Sequence, residues 1–251
     1  MPDNTSVTGD WLVPDWPVAA RVRAVTTTRQ GGVSRGCYAS MNPADHVADD
    51  PAAVMANREI LQQVLNLSGQ PVWLQQVHRT GVVNAASVGI SPVADAAWCS
   101  QPGVVCAVLT ADCLPVLLAD AAGQYVAAIH AGWRGLAAGV IEQAVMAMGR
   151  PGETLLAWLG PAIGPSVYLV GDEVRDTFMA HDQEAAGAFR QGPGGAWFAD
   201  LYRLARQRLA ACRVTAVYGG SYCSFTDSKR FYSYRRDGVT GRMATLIWLE
   251  T

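Results

Sequence analysis

Three side chains in this sequence are of the types that hold a soft divalent metal or pair a nucleophile with its base: His78, Cys113 and His130. They are 35 and then 17 residues apart, too far for a chelating finger, whose ligands lie a few residues from one another. Spacing alone therefore builds no site. Folded together, two imidazoles and a thiolate would fill three corners of a tetrahedral Zn²⁺ site and leave the fourth open, as in catalytic zinc; the same donors suit Cu²⁺. A structural zinc would need four closed ligands, and only three can be named. Taken singly, Cys113 has three fates: a small buried hydrophobe, a nucleophile activated by a histidine, or a metal-bound thiolate. Its neighbour Asp112 stands between two apolar runs, where a carboxylate must find partners because an unpaired buried charge is costly. His46 and His181 lie in polar surroundings and read as surface groups.

Two further stretches suit anionic ligands. His130-Ala131-Gly132-Trp133-Arg134-Gly135 stands where an apolar run gives way to helical periodicity, so free backbone N–H groups beside Arg134 would form an anion cradle. The alternative is that the glycines only permit a turn and Arg134 is solvated. Near the C-terminus, Lys229, Arg230, Arg235, Arg236 and Arg242 are interleaved with Phe231, Tyr232 and Tyr234. That mix fits a small anionic or nucleotide-like ligand, or a solvated hairpin turning at Asp237-Gly238.

The elements that must position these groups follow from periodicity. Asp50-Pro51 reads as an N-cap followed by proline at the first helical position, opening a helix over about 51–66 with Val54, Leu61, Val64 and Leu65 on its apolar face. Pro71–His78 alternates as a strand that ends on His78. Val104–Leu109, Leu114–Ala119 and Tyr125–Ile129 are short apolar runs of buried-strand type. Leu136, Val140, Ile141, Ala144, Val145 and Met148 recur as one helix stopped by Gly149 and Pro151. Asp200 caps a helix carrying Leu201, Leu204, Arg208 and Cys212, while Val214–Tyr218 and Thr245–Leu249 read as strands. All three candidate ligands then fall at ends of core strands, where neighbouring strands gather distant residues on one rim. Trp73, Trp133, Trp158 and Trp248 read as core or pocket wall. The mixed order of strands and helices predicts an α+β fold of mixed sheets flanked by helices.

The composition bounds the rest. The chain of 251 residues is 50% hydrophobic and 16% charged, a balance that folds into a compact globule. No linker, repeat or low-complexity tract divides it, although Gly192-Pro193-Gly194-Gly195 marks a loop, so one domain over 1–251 is the simpler reading. With 19 basic against 21 acidic residues and a net charge of −2, there is no global field for nucleic acid or an anionic membrane. Met1–Ser6 lacks a secretory pattern, which predicts a cytoplasmic protein. The uncharged stretch Thr154–Val170 is interrupted by Gly160, Pro161, Gly164 and Pro165, so it reads as strand and loop rather than a membrane span. The six cysteines show no CxxC pair and are expected to be free thiols. Oligomeric state is left open.

Gln76-Val77-His78, the run Thr110-Ala111-Asp112-Cys113-Leu114-Pro115 through Asp120, and His130-Ala-Gly-Trp-Arg-Gly-Leu136 resemble the YfiH-like family, also called laccase-domain or polyphenol oxidase proteins. The resemblance extends in order over Thr27–Ser34, Leu159–Gly164, Phe231–Gly238 and Thr240–Ala244, nearly the whole chain. It implies a single α+β domain similar to the catalytic domain of cytotoxic necrotizing factor toxins, and a metal site on His78, Cys113 and His130 holding Zn²⁺ or Cu²⁺. It also implies purine nucleoside phosphorolysis of adenosine, inosine and methylthioadenosine, with adenosine deamination alongside. Small purine nucleosides and phosphate would then be the partners. Copper-dependent phenol oxidation, for which the family was named, fits as a side activity, since four histidines are too few for a multinuclear copper cluster. Editing of peptidoglycan precursors is attached to some bacterial members, and a cysteine hydrolase using Cys113 is the alternative reading. In the phosphorylase reading Asp112, Cys113 and Arg134 are catalytic, and Arg29, Asn42, Arg235 and Arg236 bind substrate. This chain departs from the family pattern with Arg79 after Gln-Val-His in place of glycine, with Ser40-Met41-Asn42-Pro43-Ala44 for Ser-Leu-Asn-Leu-Gly, and with Leu169 where glutamate is common.

Overall fold

A computed structural model describes residues 11–250; the segment Met1–Ser6, read above for targeting, lies outside them. The centre is a six-stranded mixed sheet. From edge to edge it runs β11 (Ala216–Gly219), β7 (Leu155–Leu159), β5 (Leu114–Asp120), β6 (Val126–Ala131), β3 (Ala96–Cys99) and β2 (Val82–Asn84). The two outermost pairs are parallel and the inner pairs antiparallel. A second, antiparallel sheet has β12 (Met243–Leu249) between β1 (Val22–Thr26) and β4 (Cys106–Thr110). A small third sheet joins β8 (Leu169–Val170), β10 (Trp197–Ala199) and β9 (Phe189–Gln191).

The layering explains why the strands read as unbroken apolar runs. Leu114, Val116 and Leu118 of β5 pack toward Ile141, Ala144, Leu204 and Leu209. These belong to α3 (Val140–Met148) and α5 (Leu201–Ala211). Leu117 and Ala119 point the other way, onto Cys106, Val108, Ile247 and Leu249 of the second sheet. The far face of that sheet, with Ala107, Leu109, Ala244 and Leu246, is covered in turn by Leu61 of α1 (Pro51–Val64). A strand covered on both faces has no solvent side on which to place polar residues.

The α+β class is as the sequence predicts, and so are several local signals. Asp50 accepts the Ala52 N–H at 3.0 Å and Asp200 accepts that of Arg203 at 3.0 Å, each capping its helix. Thr154–Val170 becomes β7, a loop and β8, and no helix among the described residues is long and apolar enough to cross a membrane. His46 and His181 are exposed, Trp158 is buried, and all six cysteines are free.

Three expectations are corrected. The helix expected to run unbroken to Met148 is two, α2 (Trp133–Ala138) and α3, because Gly139 takes a left-handed conformation with φ 97° that breaks the hydrogen-bond ladder. The hairpin expected at Asp237-Gly238 is a short helix, α6 (Tyr234–Asp237), capped by the Ser233 hydroxyl and ended by Gly238 at φ 68°. Pro71–His78 forms no strand; it makes isolated bridges at Val72 and Gln75. Where a ladder would continue, the Gln76 amide takes over, donating to the Leu109 carbonyl at 2.8 Å and accepting the Leu109 N–H at 2.7 Å. The remaining helix, α4 (Asp172–His181), lies beside the small sheet.

Candidate metal centre

Strand register gathers the candidate ligands. β5 and β6 form an antiparallel pair in which Leu114 faces Ala131, so Cys113, one residue before β5, comes level with Gly132, and the 17-residue separation of Cys113 and His130 is taken up by the hairpin. β3 pairs with the other side of β6, Ala96 opposite Ile129, which brings Asp95 beside His130. His78 arrives from the loop that Gln76 pins to β4. It sits in a turn with φ 59°, not at a strand end as its alternation predicts.

The donor atoms of His78, Cys113 and His130 all lie within 4.8 Å of one another. Cys113 Sγ is 3.9 Å from His78 Nε2, close to the roughly 3.5 Å that tetrahedral zinc imposes on a sulfur and a nitrogen ligand. The two imidazoles meet edge to face, with centroids 4.7 Å apart. The floor is Gly132: a Cβ built there would stand 3.0 Å from Cys113 Sγ, 3.0 Å from His78 Cδ2 and 3.6 Å from His130 Cε1. One thiolate and two imidazoles converging over a space that a single methyl would fill fit a metal ion of zinc or copper type.

Asp95, which the sequence reading missed, completes the centre. Its carboxylate is fully buried and accepts from His130 Nδ1 at 2.8 Å. The available signal was the one used for Asp112, a lone carboxylate among small apolar residues at a strand start. Burial pushes the Asp95 carboxyl up, but hydrogen bonds from His130 and from the Arg79 and His78 amides hold it below the ordinary carboxylate range. Burial likewise pushes the Cys113 thiol up, yet His130 and His78 beside it outweigh this and bring it down to about 6. Burial lowers His130, and the Cys113 thiolate and Asp95 more than reverse that, to about 9. At neutral pH the metal-free centre is thus a thiolate–imidazolium pair.

A pH dependence follows. Binding a metal through His130 must expel its proton, so loading near pH 7.5 is expected to release about one proton. Affinity should rise with pH until His130 has lost its proton near 9, and should fall more steeply below about 6, where Cys113 is protonated as well. Calorimetric zinc titrations in two buffers of different ionisation enthalpy measure this; a buffer-independent enthalpy at pH 7.5 would contradict it.

The other residues singled out in the sequence divide into two groups. Asp112, held at φ 84°, accepts the Ser224 hydroxyl at 2.6 Å and the Arg235 N–H at 2.6 Å. The Arg235 guanidinium lies 5.2 Å from the Tyr168 ring. Burial, with the charges of Cys113 and Asp112, pushes the Tyr168 phenol up, and burial pushes the Arg242 guanidinium down against the pull of the same two anions. Arg134 is exposed, its guanidinium over the Trp133 ring at 4.4 Å. Asp112, Arg134, Arg235 and Arg242 thus stand around the centre, together with Tyr168, which sequence reasoning did not single out.

Arg29, Asn42 and Arg236 are instead tied into the surrounding loops. Arg29 donates to the carbonyls of Ala39 and Ser228, both at 3.1 Å. Asn42 is fully buried, donating to Asp49 at 2.9 Å and accepting the Arg242 N–H at 3.0 Å. Arg236 donates to the carbonyls of Ser224 and Phe225 at 2.8 Å and of Phe231 at 3.0 Å.

A family profile described as multi-copper polyphenol oxidoreductase laccase matches residues 23–250. A purine nucleoside phosphorylase of Pseudomonas aeruginosa is 55% identical over 241 residues, covering 96% of this chain and 98% of the relative. The purine nucleoside phosphorylase YfiH of Escherichia coli is 51% identical over 239 residues, covering 95% and 98%. Among solved structures, a Neisseria meningitidis protein superposes with a TM-score of 0.93 at 50% identity, covering 96% of this chain and 100% of its own. YlmD from Geobacillus stearothermophilus superposes with a TM-score of 0.84 at 29% identity, covering 92% and 93%.

Proposed function

This chain belongs to the multi-copper polyphenol oxidoreductase laccase family, and from that premise we propose that it is a metal-dependent purine nucleoside phosphorylase, acting in the cytoplasm on inosine, adenosine and methylthioadenosine. The observation that carries this reading is the open His78–Cys113–His130 cluster, found in a chain more than half identical to a relative named for that activity.

In phosphorolysis a phosphate oxygen bonds to the sugar C1′ as the C1′–N9 bond breaks; its electron pair goes to the purine, which takes up a proton and leaves. The site must hold an anion and stabilise an oxocarbenium-like sugar. Zn²⁺ on His78, Cys113 and His130 would supply a Lewis acid with an open position. The chain's own contribution is positive charge around that position. Arg134, two residues after Gly132 and exposed, suits phosphate as a forked donor; Arg242 lies within the field of Cys113 and Asp112. The backbone at the start of α2 adds little, since that helix has six residues and correspondingly little dipole. Adenosine deamination belongs to the same proposal: it needs a water and a carboxylate that moves protons, and Asp112 is the carboxylate at hand. Copper suits the same donors, and phenol oxidation would then be a side activity.

The test is chromatographic detection of hypoxanthine released from inosine, with and without phosphate, by the wild type and Cys113→Ala. Phosphate-dependent release that drops on the order of 10³-fold in the variant is expected. No release from inosine or adenosine by zinc-loaded wild type would overturn the reading.

One observation favours a second reading. Asp95, His130 and Cys113 form a carboxylate–imidazole–thiolate series, the arrangement that activates a cysteine nucleophile. A thiol hydrolase acting on a peptidoglycan precursor would keep its activity after chelation and lose it on stoichiometric alkylation of Cys113, whereas the phosphorylase would be silenced by the chelator alone.

A further inference from the structure

We propose that Asp95 is the positioning residue of the metal centre, one carboxylate that aims two of the three ligands from two separate parts of the fold. The inference rests on the metal-dependent reading above. Asp95 Oδ1 accepts from His130 Nδ1 at 2.8 Å and from the His78 backbone N–H at 2.9 Å. Oδ2 accepts the N–H groups of Arg79 at 2.7 Å and Val77 at 3.3 Å. The Asp95 backbone carbonyl accepts the His130 N–H at 2.7 Å as well, so residue 95 grips residue 130 by both main chain and side chain.

Each bond has a consequence for ligation. A hydrogen bond donated by Nδ1 fixes the His130 tautomer that leaves Nε2 bare, and a carboxylate acceptor makes that nitrogen a stronger donor to a metal. His78 holds φ 59°, a conformation that a side chain with a Cβ adopts only when its surroundings impose it. Three consecutive amides, Val77 to Arg79, wrapped on one buried carboxylate impose it here. Gln76 secures the entry to the same turn through its two bonds to Leu109, whereas Asp95 ties the main chain of the turn to His130. Among the described residues, His130 is the one ionic partner of Asp95, so the carboxylate is committed to the centre and not to a surface ion pair. Arg79, the departure from the family's usual glycine, takes part only through its amide; its side chain is exposed.

Asparagine cannot replace this group. It offers one acceptor oxygen, and its NH₂ must face either the Arg79 and Val77 amides, donor against donor, or the His78 amide and His130 Nδ1, where it would stabilise the tautomer with the proton on Nε2. Asp95→Asn is therefore expected to lower Zn²⁺ affinity by about 10–100-fold in chelator competition, and to change the visible spectrum of the Co²⁺-substituted protein, which reports ligand geometry. A merely structural role would lower the melting temperature of the metal-free protein and leave that spectrum alone. Long-range ¹H–¹⁵N NMR of zinc-loaded wild type gives an independent reading even where the variant does not fold: His130 should carry its proton on Nδ1 and ligate through Nε2. Wild-type affinity and spectrum in a folded Asp95→Asn variant, or a His130 ligating through Nδ1, would overturn the proposal. A wild type that binds no Zn²⁺ at all would overturn the metal-dependent reading and this inference with it, so the two failures are told apart.

Discussion

Gly132→Ala is expected to empty the metal centre while leaving the chain folded. The backbone at Gly132 has φ −63° and ψ 156°, a conformation open to any residue, so alanine brings no main-chain strain. What it brings is a methyl carbon 3.0 Å from Cys113 Sγ and 3.0 Å from His78 Cδ2, inside van der Waals contact with two ligands at once. The Cys113 main chain is anchored by the start of β5, and that of His78 by the amides bound to Asp95, so the two side chains yield by turning about their own bonds, away from the shared point. We expect Zn²⁺ affinity to fall by on the order of 100-fold or more, through lost ligand geometry. Phosphorolysis should fall in step, and melting of the metal-free protein should shift by only a few degrees, since alanine for glycine at an N-cap costs a fraction of a kcal/mol. Chelator competition and thermal melting, with and without zinc, measure the two effects separately. Affinity equal to wild type would show that the ligands can part, and would remove Gly132 as the floor of the site.

The largest loss of stability is expected from Asn57→Leu, at a residue outside the His78–Cys113–His130 cluster. Asn57 occupies an inward position of α1, three residues after Val54 and four before Leu61, both buried. Its Oδ1 accepts the Val33 N–H at 2.8 Å, and its Nδ2 donates to Ser34 Oγ at 2.8 Å, the Asn42 carbonyl at 2.9 Å and the Ser40 carbonyl at 3.2 Å. Leucine keeps the volume and removes a bond from all four; Ser34 Oγ still donates to Asp49 and the Ser40 carbonyl still accepts the Ser34 N–H, while the Val33 N–H and the Asn42 carbonyl lose the partner that Asn57 gave them. At about 1–3 kcal/mol for a buried group left without a partner, and with the loop free to relax in part, a total of about 3–5 kcal/mol is expected. That corresponds to roughly 10 °C in melting temperature for a chain of this size. The loop so loosened contains Arg29 and Asn42, and Asn42 holds the Arg242 amide, so phosphorolysis should weaken at temperatures where the variant is still folded. Denaturant and thermal melts check the first effect; a loss under about 1 kcal/mol would mean that water satisfies the abandoned groups.

Much of the framework was readable before any coordinates. The helix opened by Asp50-Pro51, the helix capped by Asp200 and the strands now seen as β4, β5 and β6 are signalled by a cap, a proline or an apolar run within a few residues, and short-range signals of that kind are carried by the local chain. The misreadings share a cause. Pro71–His78 alternates as a strand should, yet the Leu109 groups it would pair with are taken by the Gln76 side chain. The break between α2 and α3 depends on the conformation of one glycine inside an otherwise unbroken helical pattern. Asn57 was overlooked because a polar residue inside an apolar stripe looks like an exception, when here it is the hub of a loop.

The residue types at the centre, the motifs around them and the family they resemble were determined by the sequence alone, because thiolate and imidazole chemistry belongs to the side chain whatever its surroundings. Which of those residues meet was decided by tertiary structure. The register of β5 against β6 sets Cys113 beside Gly132, the register of β3 sets Asp95 beside His130, and Asp95 bends the turn that delivers His78. Those three contacts link residues 17 to 35 positions apart in the chain. Hydrogen-bond pairing between strands is a long-range property to which no local window of sequence is sensitive, and in this protein it turns separate side chains into one cluster.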